Sequence, residues 1–199
     1  MMTNLKESKP KTREEWLSRF VELSRPQFKA AGHPLPKKVR CSVGFPSKGK
    51  RSRVIGECWQ ADATADKVSE IFIRPSLQSD GSRVADVLTH ELCHAALGHA
   101  EGHGKNFKYL ATSLGLTGKM TATVAGPAWH EWADPIVKSL GKFPGAQING
   151  TLEGGKKKQT TRMLKLECDN CEWTCRTSKA HIHEIMECPL SCGGSLVQA

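Results

Sequence analysis

The sequence lacks any long apolar run. None of its stretches approaches the ~18 consecutive apolar residues that a membrane-spanning helix needs. Residues 1–15 are polar and contain no apolar segment of the kind that secretory leaders carry. These two absences argue against a membrane protein and against secretion. We therefore expect a soluble, cytoplasmic protein that has no membrane partner.

Acidic residues are also scarce, with 20 Asp and Glu against 29 Lys and Arg, so the formal net charge is +9. A positive chain favours contact with a polyanion, because each phosphate contact releases a counterion. Four of the basic residues fall in the turn-like segment 47–53, for which a solvated loop and a phosphate-facing hairpin both stay open. DNA is therefore a candidate partner.

The patterning predicts an α+β protein with one core and a small appended module, which we expect to be a monomer. Apolar residues at helical spacing predict an N-terminal helix over 12–30, and β-branched runs predict a small sheet of three strands at 39–43, 54–60 and 70–73. Further helices are predicted at 82–98, 104–114 and 127–140. Glycines and lysines at 154–158 mark a flexible basic linker. The predicted domains are thus 1–150, a linker 151–162, and 163–199.

Eight cysteines in a chain without a leader suit metal binding or burial better than disulfides. Four form two close pairs, Cys168 with Cys171 and Cys188 with Cys192. Two such pairs match a closed tetrahedral zinc site, and a tail too small for a hydrophobic core needs such a site to fold. With strand-like runs at 162–167 and 173–177, the tail is predicted to be a zinc β-ribbon whose zinc is structural.

Other ribbon residues could also bind the metal. Cys175, His181 and His183 are spare candidate ligands, although four cysteines already complete the zinc shell. Basic residues before and within the tail allow it to serve as an adaptor for nucleic acid or protein, and a purely stabilising appendage is equally open.

The chemistry is predicted to reside on the helix 82–98, which carries His90-Glu91-Leu92-Cys93-His94. Histidines four residues apart lie one turn above each other, so both rings can reach one metal ion. Zinc with three protein ligands keeps a position for water, and the neighbouring Glu91 can take the proton of that water. The pattern predicts a zinc site that hydrolyses amides. Cys93 points away from this face and is interpreted as a core residue.

A third ligand has several candidates. His99 and His103 both follow the helix, and we favour His103 because its flanking glycines can bend the chain back towards the metal. The metzincin spacing would require a histidine at position 100, which is Ala100. Two other residues stay open as the third ligand. One is Glu131, a glutamate on a later helix, as in gluzincins. The other is Cys58, a cysteine upstream of the motif, as in peptide deformylases.

Together these residues resemble a known family. The order of a helix, strands containing residues 55–59 and 71–73, the His90–His94 motif and residues 102–107 resembles SprT-like metallopeptidases. It is most similar to small bacterial and phage-encoded members that end in a zinc ribbon, and residues 119–124 and 157–162 are similar to that subgroup as well. The resemblance covers roughly residues 35–195. Two features depart from the pattern, Cys175 and the three-residue gap between Cys188 and Cys192.

The resemblance implies a minimal zincin-like domain in which His90, His94 and His103 bind one catalytic zinc and Glu91 is the general base. It also implies kinship with Spartan-type proteases that digest proteins crosslinked to DNA, and a bacterial or phage-infected cell as host. Some relatives carry a transcription-related description, so a nucleic-acid-binding accessory protein with non-catalytic zinc is the alternative. The sequence shows no obvious oxyanion stabiliser, and its only tyrosine, Tyr109, is interpreted as a core or surface residue.

Overall fold

The computed structural model describes residues 9–47, 49, 52–77, 80–148 and 163–199. The chain divides into two compact units, 1–150 and 151–199. The architecture is mixed α+β, as predicted. The predicted linker 151–162 and three basic residues of the predicted loop 47–53 (Lys48, Lys50 and Arg51) lie outside the described residues. In the described part of the chain, no helix combines the length and the apolar character that crossing a bilayer requires.

The described part of the first unit contains four α-helices, a three-stranded sheet and a two-stranded hairpin. In chain order they are α1 Arg13–Ala30, β1 Val39–Val43, β2 Gly56–Trp59, β3 Ser69–Ile73, α2 Gly81–Leu97, α3 Lys105–Ser113, β4 Leu116–Lys119, β5 Ala122–Ala125 and α4 Pro127–Leu140. One-turn 3₁₀ helices occur at Ala61–Ala63 and His99–Glu101.

Helix α1 begins at a capped N-terminus and buries one apolar side. The Thr12 hydroxyl accepts a hydrogen bond from the Glu15 backbone N–H at 3.1 Å, which satisfies one of the free donors of the first turn. Trp16 and Phe20 lie one turn apart and are fully buried, and their rings stack with centroids 5.8 Å apart. The helix therefore forms one wall of the core. Leu23, an apolar residue of the same helix, is 46% exposed.

The three-stranded sheet has the order β1-β3-β2, with β1 parallel to β3 and β2 antiparallel to it. Cys41, Ile71 and Cys58 are aligned across the three strands. Ile71 is fully buried and Cys41 nearly so, which identifies this as the face turned to the core. Because β2 pairs with only one neighbour, it forms an edge of the sheet.

Helix α2 lies at the centre of the unit and contacts β2, β3, β5 and the other helices. Asp80 caps its start by accepting from the Ser82 N–H at 2.9 Å. Leu88 and Leu92 are fully buried, and burial of each leucine side chain contributes roughly 1.5–3 kcal/mol to folding. Helix α4 supports α2 from behind, because the Trp129 indole donates to the buried Thr89 hydroxyl at 3.1 Å. The helix that carries the motif thus packs against the sheet, the hairpin and the other helices of the unit.

The hairpin of β4 and β5 is the part of this unit that the sequence pattern does not predict. Its strands are only four residues long, with Leu116 paired with Ala125 and Thr117 with Val124. Most of the hairpin is exposed, and Leu116 and Thr123 are its buried residues. The apolar alternation that identifies a strand is therefore missing.

In its described residues, 163–199, the second unit forms a three-stranded antiparallel sheet in the order β7-β6-β8, made of β6 Leu164–Cys168, β7 Thr174–Thr177 and β8 Leu196–Gln198. Its first two strands correspond to the predicted ones. The third is not predicted, since it has only three residues. Among residues 163–199, Leu166 in the central strand is 1% exposed and is the only buried residue that is not a cysteine, so this stretch has very little hydrophobic core.

Candidate active site

Three imidazole rings converge at one point of the first unit. His90 and His94 project from α2, and His103 comes from the segment before α3. The His103 Nε2 atom lies 3.2 Å from both the His90 Nε2 and the His94 Nε2. Tetrahedral zinc with Zn–N bonds of about 2.0–2.1 Å would separate its ligand nitrogens by ~3.3 Å. The three histidines therefore fit a zinc ion in both chemistry and spacing.

The turn that presents His103 is set by its neighbours. Gly102 adopts a φ of 52° and a ψ of −128°, a conformation that side-chain-bearing residues rarely adopt. The Glu101 carboxylate accepts hydrogen bonds from the Asn106 backbone N–H at 2.8 Å and from its side-chain amide at 2.9 Å. This contact ties the turn to the first residues of α3. Of the two predicted alternatives, His103 joins the cluster, whereas the His99 side chain lies outside the described atoms.

Phe107 forms an apolar support for all three rings. It is fully buried, and its centroid lies 4.9 Å from His90, 4.5 Å from His94 and 4.9 Å from His103. Burial lowers the pKa of His90 to about 3 and that of His94 to about 4, with neighbouring histidines adding to the effect. Because metal ligation requires a neutral imidazole, the site is ready to bind a metal at neutral pH.

The ring of His90 is oriented by Thr123, a residue to which the sequence analysis gives no role. The His90 Nδ1 lies 2.8 Å from the Thr123 hydroxyl, which is on β5 and almost fully buried. A neutral His90 that binds metal through Nε2 carries its proton on Nδ1 and donates it to Thr123. One turn earlier on α2, Asp86 accepts from the Ala125 N–H at 3.2 Å. Two side chains of α2, those of Asp86 and His90, therefore form hydrogen bonds with two residues of β5, Ala125 and Thr123.

Glu91 is buried between α2 and β2 at the bottom of the cleft. A Cβ atom on Gly56 would approach the Glu91 Oε1 to 2.6 Å, so only glycine lets the strand pass this close. Burial, with a smaller contribution from the Glu57 carboxylate and against the effect of the Cys58 backbone N–H, raises the pKa of Glu91 to about 8. Without a metal, the glutamate therefore holds a proton near neutral pH.

The cleft has a volume of about 590 Å³ and is lined by α2, the turn around His103, the β4–β5 hairpin and residues 53–58. Glu131 is exposed on α4 and does not line the cleft, so the gluzincin alternative gains no support. Cys58 lines the cleft beside Glu91, but its thiol does not belong to the histidine cluster that the deformylase-like alternative would require it to join. Tyr109 is 64% exposed and points to solvent, and Cys93 is fully buried in the core.

The second unit has its own cluster of metal-binding residues. Cys168, Cys171, Cys188 and Cys192 converge, with Sγ atoms 3.5 Å apart for Cys168 and Cys192 and 3.6 Å apart for Cys171 and Cys188. Tetrahedral zinc with Zn–S bonds of about 2.3 Å would separate its sulfurs by ~3.8 Å. The four cysteines therefore fit structural zinc despite the three-residue gap in the second pair.

In this cluster a backbone donor favours the thiolate form of one cysteine, Cys192, whereas burial and hydrogen bonds among the thiols raise the pKa values of Cys171 and Cys188. The Gly194 N–H lowers the pKa of Cys192 to about 7, and the Cys171 thiol contributes to the effect. The Asn170 N–H lies 3.4 Å from the Cys168 sulfur. Neither Cys175 nor the two nearby histidines, His181 and His183, belong to the metal-binding group that the described residues form.

Comparison with known proteins shows that most of the first unit matches a protein family. The model of the SprT-like family matches residues 20–126, which is more than half of the chain and contains all three histidines and Glu91. The chain belongs to the SprT-like family. The matched region of this SprT-like protein runs from α1 to the turn after β5. It therefore includes the hairpin that holds His90, whereas the cysteine cluster lies beyond it. Searches of curated proteins and of solved structures found no significant match.

Replacing Thr123 by valine should weaken metal binding at the histidine site. Valine keeps the shape of threonine but leaves the His90 Nδ1–H without an acceptor, and losing such a partner costs about 10- to 100-fold in metal affinity. Thr123→Ser should retain nearly full affinity. Competition with a zinc chelator measures the loss, and the cysteine-bound zinc should be unaffected. Equal affinity of the valine variant and the wild type would show that the contact does not orient His90.

Replacing Glu91 by glutamine should stabilise the metal-free protein in a pH-dependent way. In the folded wild type the Glu91 pKa is about 8, against 4.5 in the unfolded chain, so the folded state loses stability as the pH rises between these values. The amide has no proton to lose, so the free energy of unfolding of E91Q should exceed that of wild type by about 2 kcal/mol or more at pH 8. The lowered pKa values of His90 and His94 make the folded state more stable as the pH rises, but they do so equally in the wild type and in E91Q.

Urea unfolding in the presence of a chelator, followed by tryptophan fluorescence, measures this difference at pH 5 and pH 8. Four of the five tryptophans lie in the first unit, so the signal reports mainly on that unit. A stability difference that is the same at both pH values would contradict the proposed burial of a protonated Glu91.

Proposed function

We propose that this SprT-like protein is a zinc-dependent endopeptidase in which His90, His94 and His103 hold the metal and Glu91 is the general base. The observation that carries this proposal is the convergence of three imidazole rings, with the His103 Nε2 atom 3.2 Å from those of His90 and His94, beside a buried carboxylate in an accessible cleft. A structural zinc site is closed by four protein ligands, whereas a hydrolytic site has three and keeps a position for water, beside which a carboxylate such as Glu91 can act as the base.

When bound, zinc supplies a Lewis acid that polarises the peptide carbonyl and lowers the pKa of water to ~7. Glu91 accepts a proton from the attacking water as the new C–O bond forms. It then gives that proton to the amine nitrogen as the C–N bond breaks. Beside a bound cation, Glu91 would favour its ionised form and would then be able to act as the base.

The substrate would bind as an extended peptide along β2. This strand is an edge of its sheet, and residues 55–58 border the cleft, so its free side can pair with another strand. An extended peptide bound this way runs past Glu91 in both directions. Cleavage within a chain, rather than at its end, is the outcome that this geometry favours.

DNA-associated or DNA-crosslinked proteins are the substrates that we propose. The net charge of +9 and the similarity to Spartan-type proteases support this choice. The cysteine cluster supports a reducing, cytoplasmic location, since thiolate zinc sites persist where disulfides do not form. The alternative is an accessory protein that binds nucleic acid and uses both metals structurally. The same positive charge favours it, but it leaves the placement of Glu91 unexplained.

Glu91→Gln should abolish cleavage of a DNA-bound protein and of an unfolded protein, because the amide cannot accept the proton. A loss of at least about 100-fold is expected from removing the general base. Gel analysis of substrate fragments measures it. Glu131→Gln is the matched control, since that exposed glutamate lies away from the cleft and its variant should cleave normally.

Unchanged cleavage by E91Q would refute the mechanism. Salt-dependent DNA binding without proteolysis under any condition would favour the accessory protein. Because Glu91 is not a metal ligand in this proposal, E91Q must keep its full metal content, which separates loss of the base from loss of zinc.

Metal analysis should find two zinc ions per chain. We expect one ion after Cys168→Ser with Cys171→Ser, and likewise one after His90→Ala with His94→Ala, because the two ligand sets do not overlap. Mass spectrometry under native conditions counts the ions. A single zinc in the intact protein would exclude the two-site proposal.

A further inference from the structure

The positive charge of the chain belongs almost entirely to the first unit. Residues 1–150 contain 22 Lys and Arg against 14 Asp and Glu, a net charge of +8. The second unit, 151–199, contains seven basic residues against six acidic ones, a net charge of +1, but four of the seven lie in residues 151–162, so residues 163–199 have a net charge of −2. Four thiolates around a zinc ion would add two further negative charges. A polyanion would therefore be attracted to the first unit and repelled by the ribbon.

Within the first unit, the exposed side of α3 stands out by its chemistry. Its neighbouring positions on the helical surface are Lys108, Thr112, Lys105 and Tyr109, all of which are exposed. The Tyr109 ring is 64% exposed. These side chains offer two cations, two hydroxyl groups and an aromatic face, which are the groups that bind phosphates and stack with bases.

No carboxylate lies on α3, whereas each of the other three helices of this unit carries at least two. Those residues are Glu14, Glu15 and Glu22 on α1, Asp86 and Glu91 on α2, and Glu131 and Asp134 on α4. The nearest carboxylate in sequence, Glu101, is occupied by two hydrogen bonds from Asn106. The α3 surface is thus the helical face at which an anion would meet the least repulsion.

The α3 surface also lies next to the cleft. Helix α3 begins two residues after His103, which lines the cleft, and its buried Phe107 supports the three histidine rings. A strand of nucleic acid bound along the exposed side of α3 would pass beside the metal site. A protein attached to that strand would be held near Glu91.

We propose that the exposed face of α3 (Lys105, Lys108, Tyr109 and Thr112) binds single-stranded nucleic acid and that the ribbon does not supply this contact. Lys105 and Lys108 neutralise phosphates, and Tyr109 stacks on an unpaired base. The proposal deepens the proposed function, since it assigns the nucleic-acid contact of a DNA-associated peptidase to a particular surface.

Three double charge reversals in the full-length protein test this surface. They are Lys105→Glu with Lys108→Glu on α3, Lys138→Glu with Lys142→Glu at the end of α4, and Arg176→Glu with Lys179→Glu in the ribbon. Every reversed residue is exposed, and each pair changes the net charge by the same amount. Fluorescence anisotropy with a labelled single-stranded oligodeoxynucleotide at several salt concentrations measures the affinities.

The α3 reversal should lower affinity at least about tenfold and reduce the slope of log affinity against log salt by about 1.4, for two phosphate contacts. The α4 and ribbon reversals should change affinity much less. Tyr109→Ala should weaken binding of the single strand about tenfold and leave binding of a duplex nearly unchanged, because a duplex offers no unpaired base.

Several outcomes would overturn the proposal. Equal losses from all three reversals would show that only net charge matters, and a loss confined to the ribbon reversal would move the contact to the ribbon. Failure of the wild type to bind nucleic acid would exclude the contact, as would α3-dependent binding to anionic vesicles alone. Cleavage of an unfolded protein without DNA should be the same in all three variants, so a failure here leaves the peptidase proposal standing.

Discussion

The arrangement of this site depends on three imidazole rings held close together in their neutral form. Nitrogens 3.2 Å apart could not all be protonated, because like charges at that distance repel strongly in a partly buried site. Phe107 and the surrounding core remove water and so keep the rings neutral. The same removal of water lowers the pKa values of the histidines but raises that of Glu91, so the glutamate keeps its proton and is uncharged. One apolar environment thus prepares both the ligands and the base for a cation.

Holding the rings together requires support from elements distant in sequence. Helix α2 sets the spacing of His90 and His94, but the third ring depends on the Gly102 turn and on the Glu101–Asn106 contact. The orientation of the first ring depends on Thr123, 33 residues further along the chain. Helix α4 restrains α2 from the other side through Trp129 and Thr89. The ribbon, by contrast, is too small to build a hydrophobic core, and a metal ion bound by its four clustered cysteines would stabilise it instead.

The candidate metal ligands can be predicted from the sequence more readily than the contacts that support them. The His90–His94 spacing follows from helix geometry, and the cysteine pairs from their short separations, so both can be recognised locally. The helices are predicted almost to the residue, because their apolar spacing is regular. Thr123 could not be assigned a role, since its strand is short and mostly exposed and a threonine there has no distinctive pattern. The glycine-rich turn around His103 is recognisable, but the contact between Glu101 and Asn106 that fixes it becomes visible only in the structure.

The two hydrogen bonds between α2 and β5 link the rotation of the helix about its axis to the register of the strand. Asp86 and His90 are four residues apart on the helix, and their partners Ala125 and Thr123 are two apart on the strand. Because side chains alternate between the faces of a strand, a shift of β5 by one residue would turn residue 123 away from His90 and break both contacts at once. Insertions should therefore be tolerated in the turn at Met120 and Thr121 but not within β5. Evolutionary change in hairpin length would accordingly be confined to the tip.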